Sequence, residues 1–194
     1  MRIVRASNHR AMPWKNGGGV TTQIAIWPPE ATAADFDWRV SMATVAADGP
    51  FSNFAGIDRT LAILDGAGID LDVAEHGAVR LTQDTAPFAF PGDVPTAARL
   101  VAGPATDLNV MTRRGRWTHA AERLSIGAEQ SRALNTDLTL ALCCRGTARV
   151  DTADGTVLLA THDMLVIEAS DALLEISLTG PAELLVVQLA QQTV

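Results

Sequence analysis

The sequence predicts an all-β protein built from two similar halves. Short apolar stretches separated by Gly, Pro, Asp and Asn run along most of the 194 residues, and this punctuation is typical of strands joined by turns. The close spacing favours a barrel or a sandwich over alternating strands and helices. Helical periodicity is weak and allows only short helices at 29–34 and 120–133. The predicted strands are 19–27, 37–45, 60–64, 69–73, 78–81, 108–112, 139–143, 148–151, 164–167, 172–178 and 183–189.

Two stretches of the first half recur in the second half. The segment TLAILDG at 60–66 is echoed by TLALCCRG at 139–146, and the GPA that begins at Gly103 is echoed by the GPA that begins at Gly180. Both echoes keep the same order at an offset of a little under eighty residues. This pattern indicates a duplicated β unit. We therefore predict one compact protein with an N-terminal half, residues 1–115, and a degenerate C-terminal half, residues 116–194.

The composition is that of an ordinary globular protein, with 47% hydrophobic and 19% charged residues, so disorder is not expected. The net charge of −7 and the pI near 5.0 argue against a nucleic-acid partner. No segment has the apolar length of a membrane-spanning helix or the apolar core of a secretory signal. The two cysteines, Cys143 and Cys144, are adjacent, so a disulfide between them would be strained. We expect a cytoplasmic protein with reduced cysteines and no membrane partner.

A small β-barrel that holds a ligand in its mouth invites comparison with the cupins. Two cupin signature stretches supply three histidines and a glutamate to one metal ion. At the signature spacing, the glutamate position falls on Arg59, the first two histidine positions on Ser52 and Phe54, and the last on Pro95 or Thr96. A permanent positive charge at the glutamate position would repel a cation. We therefore expect no bound metal and no cofactor.

The role of Arg59 has two possible interpretations. An arginine that faces a barrel interior is costly unless it is paired or meets an anion. It either forms a salt bridge with a neighbour such as Asp58 or Asp93, or binds a ligand carboxylate through two parallel hydrogen bonds. The sequence leaves both open.

Several segments of the first half closely resemble the HutD/Ves family. They are MPWKNGGGVT at 12–21, FDWRVSMA at 36–43, DGPFSNFAGIDR at 48–59, FPGD at 90–93 and DLNVMTRRG at 107–115. The resemblance covers most of the first 115 residues in matching order and spacing. It implies a metal-free bicupin, with two cupin-like double-stranded β-helix barrels of the RmlC-like kind and few short helices. It also implies a link to bacterial histidine utilisation, with ligands such as formylglutamate, formiminoglutamate or urocanate, all of which are carboxylates.

Strand alternation places polar side chains on common faces. In the strand 38–42, Arg39 and Ser41 share one face, and in the segment 107–113 Asp107, Asn109, Met111 and Arg113 share one face. Such faces are solvated in an ordinary sandwich but line the mouth of a cupin-like barrel. We expect Arg59 with Arg39 or Lys15 to hold a carboxylate, neutral side chains to add hydrogen bonds, and Trp14 to shield the site. The candidate ligand-binding residues are Trp14, Lys15, Asn16, Arg39, Ser41, Arg59, Asn109 and Arg113.

The sequence supports three functions. The first is a non-catalytic binding or regulatory protein for a small carboxylate metabolite of histidine degradation. The second is a metal-free cupin enzyme, such as an isomerase, epimerase or deformylase, which would need a positioned base; Asp93 and His76 are the candidates. The third is a protein-interaction module whose polar faces are solvated. A homodimer is left open.

Overall fold

The computed structural model describes residues 1–14, 17–127, 130–133, 137–152, 155–169 and 175–192. These residues form eighteen β-strands, one 3-10 helical turn at Ala6–Asn8 and no α-helix, so the all-β prediction is confirmed. None of them belongs to a helix long and apolar enough to cross a membrane. The strands are β1 (Arg2–Val4), β2 (Arg10–Pro13), β3 (Gly19–Trp27), β4 (Trp38–Val45), β5 (Gly49–Pro50), β6 (Ile57–Asp65), β7 (Ile69–Val73), β8 (Gly77–Leu81), β9 (Phe88–Pro91), β10 (Thr96–Leu100), β11 (Ala105–Arg113), β12 (Trp117–Ile126), β13 (Gln130–Ala133), β14 (Leu138–Thr152), β15 (Gly155–Ala160), β16 (Met164–Glu168), β17 (Glu175–Thr179) and β18 (Ala182–Gln191).

The chain divides into two compact units. The N-terminal unit comprises Arg10–Thr118 with Gln192, and the C-terminal unit comprises Met1–His9 and His119–Gln191. The first residues belong to the C-terminal unit because β1 pairs antiparallel with β16. The sequence prediction grouped them with residues 1–115, since a three-residue strand carries no signal of its distant partner.

Two sheets form the N-terminal unit. One contains six strands in the order β2-β3-β4-β11-β6-β9, and the other contains four in the order β5-β10-β7-β8. Apolar side chains from both sheets form a single buried cluster, so the core of this unit lies between them. The cluster consists of Leu61, Ile63, Ile69, Leu71, Val73, Leu81, Phe90, Ala98 and Ala105.

The C-terminal unit is built around the long strand β14, which pairs with β15, β16, β17 and β18. The sequence predicted two strands here, at 139–143 and 148–151, but β14 is continuous through both. The predicted helix at 120–133 is wrong, because β12 and β13 lie there, and the segment 29–34 contains turns and no helix. Side-chain burial alternates along most of β12, and its pairing with β18 overrides the helix preference of its alanines.

Both units carry the same strand irregularity. In the N-terminal unit Ile63 lies opposite Asp107 and Asp65 opposite Thr106, so Leu64 is an extra residue in β6. In the C-terminal unit Cys143 lies opposite Leu184 and Arg145 opposite Glu183, which makes Cys144 the extra residue in β14. A bulge at the same place in two paired strands supports the duplication read from the sequence.

The glycines of the sequence echo also occupy matching positions. Gly66 and Gly146 have positive φ angles of 88° and 79°. A Cβ on Gly66 would lie 2.5 Å from the carbonyl oxygen of Pro104, and a Cβ on Gly146 would collide with the carbonyl oxygen of Pro181. The repeated glycine and the repeated Gly-Pro-Ala segment therefore meet in each unit, and only glycine allows this approach.

Candidate functional site

The N-terminal unit contains a cavity of about 520 Å³. Its wall includes the face that β3, β4, β11 and β6 share, and the loop before β6 also contributes residues. The volume falls in the range of small-molecule sites. The lining residues on which the argument rests are Trp14, Thr21, Arg39, Ser41, Asp48, Phe51, Ser52, Phe54, Arg59, Asp107, Asn109 and Met111.

Strand register places the polar side chains in rows across the sheet. Met111 lies opposite Arg39 on one side and Arg59 on the other. Two residues further along β11, towards its start, Asn109 lies opposite Ser41. Since side chains alternate along a strand, all of these residues point to the same face, and the predicted polar faces of 38–42 and 107–111 line this cavity.

Arg59 is buried, with only 4% of its surface exposed. Its guanidinium carbon lies 5.0 Å, 5.7 Å and 5.2 Å from the ring centres of Phe51, Phe54 and Phe90. Such contacts stabilise a cation that has lost its water. Gly92 makes room for the side chain, since a Cβ there would lie 3.0 Å from the Cδ atom of Arg59.

Arg59, Asn109 and Asp107 form a hydrogen-bonded chain. Nη2 of Arg59 donates to Oδ1 of Asn109, whose Nδ2 donates to Oδ1 of Asp107. Burial raises the pKa of Asp107 to about 7, although Arg59 and the hydrogen bond from Asn109 oppose the shift. Burial also lowers the pKa of Arg59 to about 10, against the attraction of Asp107. The site therefore holds a titratable carboxyl near neutral pH.

Arg39 is the second buried cation of the cavity, with 6% exposure. Its Nε has no hydrogen-bond partner within the described part of the chain, and the same holds for Nε of Arg59. Burial lowers the pKa of Arg39. Two guanidinium groups thus line the same cavity as the buried carboxyl of Asp107, and each keeps an unused Nε donor. This arrangement is suited to an anion with several acceptor atoms.

The interpretation in which Arg59 forms a salt bridge with Asp58 or Asp93 is wrong. Both carboxylates instead bind Arg114, at 2.7 Å and 3.0 Å from its guanidinium nitrogens. Asp93 also accepts a hydrogen bond from the backbone N–H of Gly56 at 3.1 Å. Arg114 therefore satisfies the two acids at the surface and leaves Arg59 to the cavity.

The two bases suggested by the sequence do not fit that role. Hydrogen bonds from Arg114 and from the Gly56 N–H lower the pKa of Asp93, which makes it a weaker base. His76 is exposed, and its Nδ1 lies 3.1 Å from the carbonyl oxygen of Ala74. Neither lines the cavity, and Asp107 is the buried acid that does.

Trp14 lies at one wall of the cavity. Its Nε1 donates to Oγ1 of Thr21 at 2.7 Å, which fixes the indole beside the pocket. Gly19 is required there, because a Cβ would collide with the carbonyl oxygen of Thr44 and touch the indole. The two other predicted residues of this segment, Lys15 and Asn16, lie outside the described residues.

Arg113 does not line the cavity. Its Nε donates to the carbonyl oxygen of Phe36 at 2.9 Å, and its guanidinium carbon lies 5.9 Å from the ring of Phe36. It also lies 3.9 Å from Oδ1 of Asp37. These contacts hold the segment before β4 and give Arg113 a structural position.

Three important lining residues were not among the predicted site residues. Asp107 and Met111 were placed on the correct face by strand alternation, which was the signal available for both. Phe51 lies in a loop, where alternation carries no information. Its approach to Arg59 is decided by the tertiary fold.

The cavity includes three of the positions at which the cupin signature carries metal ligands. Ser52, Phe54 and Arg59, which stand at signature ligand positions, all line it. Within the described residues, no three His, Cys, Asp or Glu side chains are grouped so that they could hold a metal ion. Two guanidiniums with the separate carboxyls of Asp48 and Asp107 are the charged groups of the described lining, and this set does not fit a cation.

In the described part of the C-terminal unit, the positions equivalent to three of these site residues carry no charged side chain. The bulge that both units carry aligns their strands and so defines the corresponding positions. The residues at these positions in the C-terminal unit are buried. The leucine and the valine among them belong to the apolar core of that unit. The equivalents of Arg59, Asp107 and Asn109 are Thr139, Leu184 and Val186.

The fold and the cavity define a bicupin, a protein with two cupin-like units, of which the N-terminal one contains a basic cavity. Oxalate decarboxylase from Lactobacillus farciminis shares the fold with a TM-score of 0.65 at 8% identity, covering 99% of this chain and 86% of that one. At that identity the likeness shows the fold alone.

The chain belongs to the HutD family, whose model matches residues 6–186. It is similar to HutD from Pseudomonas fluorescens SBW25, with a TM-score of 0.84 and 30% identity over 99% of each chain. A conserved protein of unknown function from Pseudomonas aeruginosa PAO1 gives a TM-score of 0.90 at 31% identity, covering 97% of this chain and 98% of that one.

Curated relatives agree with this assignment. An uncharacterised 21.2 kDa protein from the hutC 3′ region of Pseudomonas putida is 32% identical over 93% of both chains. Protein Ves from Citrobacter koseri is 40% identical over 111 residues, which span 55% of this chain and 56% of Ves. The match to Ves thus spans about half the length of that relative.

Proposed function

We propose that this protein binds a small carboxylate metabolite of histidine degradation in the cavity of its N-terminal unit, as a non-catalytic binding or regulatory protein. The observation that carries the proposal is the pair of buried arginines, Arg39 and Arg59, each with an unpaired Nε donor within the described residues. A buried guanidinium without a counterion is costly. A bound carboxylate would supply the missing charge and acceptors.

The family supports the choice of metabolite. The name HutD belongs to a Pseudomonas relative, and another relative is encoded near hutC. Formylglutamate, formiminoglutamate and urocanate all carry a carboxylate, and the cavity of about 520 Å³ can accommodate molecules of this size. In this pose the carboxylate lies between Arg39 and Arg59, and Ser41 and Asn109 contribute neutral hydrogen bonds.

The test is isothermal titration calorimetry with formylglutamate, formiminoglutamate and urocanate. We expect Arg59→Ala to weaken binding by about ten- to hundredfold, because a charge-assisted hydrogen bond contributes about 1.5–3 kcal/mol. Arg80→Ala is the matched control, since Arg80 is an exposed arginine paired with Asp70 outside the cavity. Circular dichroism verifies that each variant folds.

Two results would overturn the proposal. One is a failure of every tested carboxylate to bind or to raise the melting temperature, which would favour the protein-interaction module. The other is equal affinity in the wild type, Arg59→Ala and Arg39→Met. Arg39→Met provides a second arm should Arg59→Ala not fold.

A specific observation favours a second function, that of a metal-free enzyme. Asp107 is a buried carboxyl in the cavity, and its pKa of about 7 is suited to general acid–base catalysis. An isomerase, epimerase or deformylase reaction on an acidic substrate would use it beside the two arginines. Nuclear magnetic resonance of the same compounds with pure protein detects turnover, and Asp107→Asn should abolish it.

A further inference from the structure

Asp107 is the one buried carboxyl among the described residues of the cavity wall. It is 1% exposed, and across the strands it neighbours Ala43 and Ile63. The amide of Asn109 separates it from the guanidinium of Arg59. No guanidinium forms a direct ion pair with it in the described part of the chain. Its charge is therefore only partly compensated.

Among the described residues, three charged side chains besides Asp107 line the cavity. Arg59 approaches from β6, Arg39 lies on β4, and Asp48 lies in the loop before β5. Asp48 is exposed and accepts a hydrogen bond from the N–H of Leu100 at 2.8 Å, so water screens its charge. The attraction of Arg59 is the main charge effect that favours ionised Asp107.

An anion bound at Arg39 and Arg59 would favour the protonated form of Asp107 over the ionised form. It engages the donors of Arg39 and Arg59 and brings a negative charge close to Asp107. A like charge in a buried site disfavours a second ionised carboxyl. The same anion offers an acceptor, which a carboxylic acid can reach through its O–H.

We propose that Asp107 is a further ligand-binding residue, which takes up a proton when an anion enters the cavity and donates a hydrogen bond to it. The inference rests on the proposed binding function and adds its chemistry, namely that the anion and one proton bind together. Asn109, fixed between Arg59 and Asp107, keeps the carboxyl in place for this contact.

Because anion binding is coupled to proton uptake by Asp107, the affinity for the anion decreases as the pH rises. Anion binding raises the pKa of Asp107 above its value in the free protein, which is about 7. Affinity is therefore constant below about pH 7 and falls as the pH rises further, by at most about tenfold per pH unit. Formate is the chosen probe, because it remains ionised throughout this range and any pH dependence belongs to the protein.

The experiment is calorimetry with formate on the full chain. Titrations at pH 7.5 in Tris and in triethanolamine, which differ in ionisation enthalpy, give the number of protons taken up. We expect an uptake that approaches one proton per formate, and a dissociation constant about tenfold or more higher at pH 8.5 than at pH 6.0.

Two variants distinguish hydrogen-bond donation by Asp107 from a purely structural role of its buried side chain. Asp107→Asn keeps an N–H donor at every pH, so it should bind formate at pH 8.5 more tightly than the wild type does, without proton uptake. Asp107→Leu places at this position the residue that the C-terminal unit has at Leu184. It should bind weakly at both pH values.

The outcomes distinguish this inference from the function on which it rests. No formate binding at any pH, together with no binding of the larger carboxylates, overturns the proposed function. Binding without proton uptake, with proton release, or with unchanged pH dependence in Asp107→Asn overturns the inference alone. Proton release would mean that Asp107 is more ionised in the formate complex than in the free protein.

Discussion

Arg39 and Arg59 lie opposite the same residue, Met111, on the two sides of strand β11. Two buried guanidiniums therefore share one row of the sheet, and Asn109 connects Arg59 to Asp107, the buried carboxyl of the described cavity wall. Arg39 repels Arg59, so two like charges buried in one row destabilise the unliganded protein and favour an anion between them.

Arg39 should lower the stability of the empty protein. Its Nε is buried and without a partner among the described residues, and it repels Arg59. We expect Arg39→Met to raise the free energy of unfolding by about 1 kcal/mol or more, since apolar replacement of an uncompensated buried charge is stabilising. The same variant should bind carboxylates more weakly. Urea denaturation and calorimetry measure the two effects, and a loss of stability would contradict the first.

Asp107 should make stability depend on pH. Its folded pKa of about 7 lies above the ordinary value of 3.8, so the folded state holds its proton more tightly than the unfolded state. Its contribution is thus fully present below about pH 4 and is lost as the pH rises to about 7. We expect the melting temperature of Asp107→Asn to exceed that of the wild type increasingly over this range. A constant difference from pH 4 to pH 8 would contradict the assignment.

Arg113 should stabilise the fold without affecting the ligand. It donates to the carbonyl of Phe36, a buried residue, and lies outside the cavity lining. We expect Arg113→Ala to lower the free energy of unfolding by about 1–2 kcal/mol and to leave carboxylate affinity unchanged. A tenfold loss of affinity with normal stability would show that Arg113 reaches the ligand.

Gly66 should be less replaceable than a glycine in an open turn. Gly66 and Gly77 both have positive φ, but a Cβ on Gly77 meets nothing within 4 Å, whereas a Cβ on Gly66 meets the Pro104 carbonyl oxygen. We expect Gly77→Ala to lower the free energy of unfolding by about 1 kcal/mol and Gly66→Ala by about 2 kcal/mol or more. Gly146→Ala should behave like Gly66→Ala. Equal losses at Gly66 and Gly77 in urea denaturation would contradict the contact.

Strand alternation located much of the site. A period of two fixes which side chains share a face, so Arg39 and Ser41 on one strand and Asp107 and Asn109 on another could be grouped before their strands were paired. Alternation cannot show which strands become neighbours. The convergence of Arg39 and Arg59 on Met111 therefore became visible only with the register.

The sequence by itself determined the all-β class, the duplicated unit and the polar faces, because these depend on residue order and local backbone geometry. Tertiary structure decided that Arg114 forms ion pairs with Asp58 and Asp93. It also decided that Phe51 packs against Arg59, and that the alanine-containing segment of β12 is a strand. Ion pairs and pairing partners depend on which distant segments meet. The physical reason is that burial and charge compensation are properties of neighbours in space, and residue order specifies those neighbours only through the whole fold.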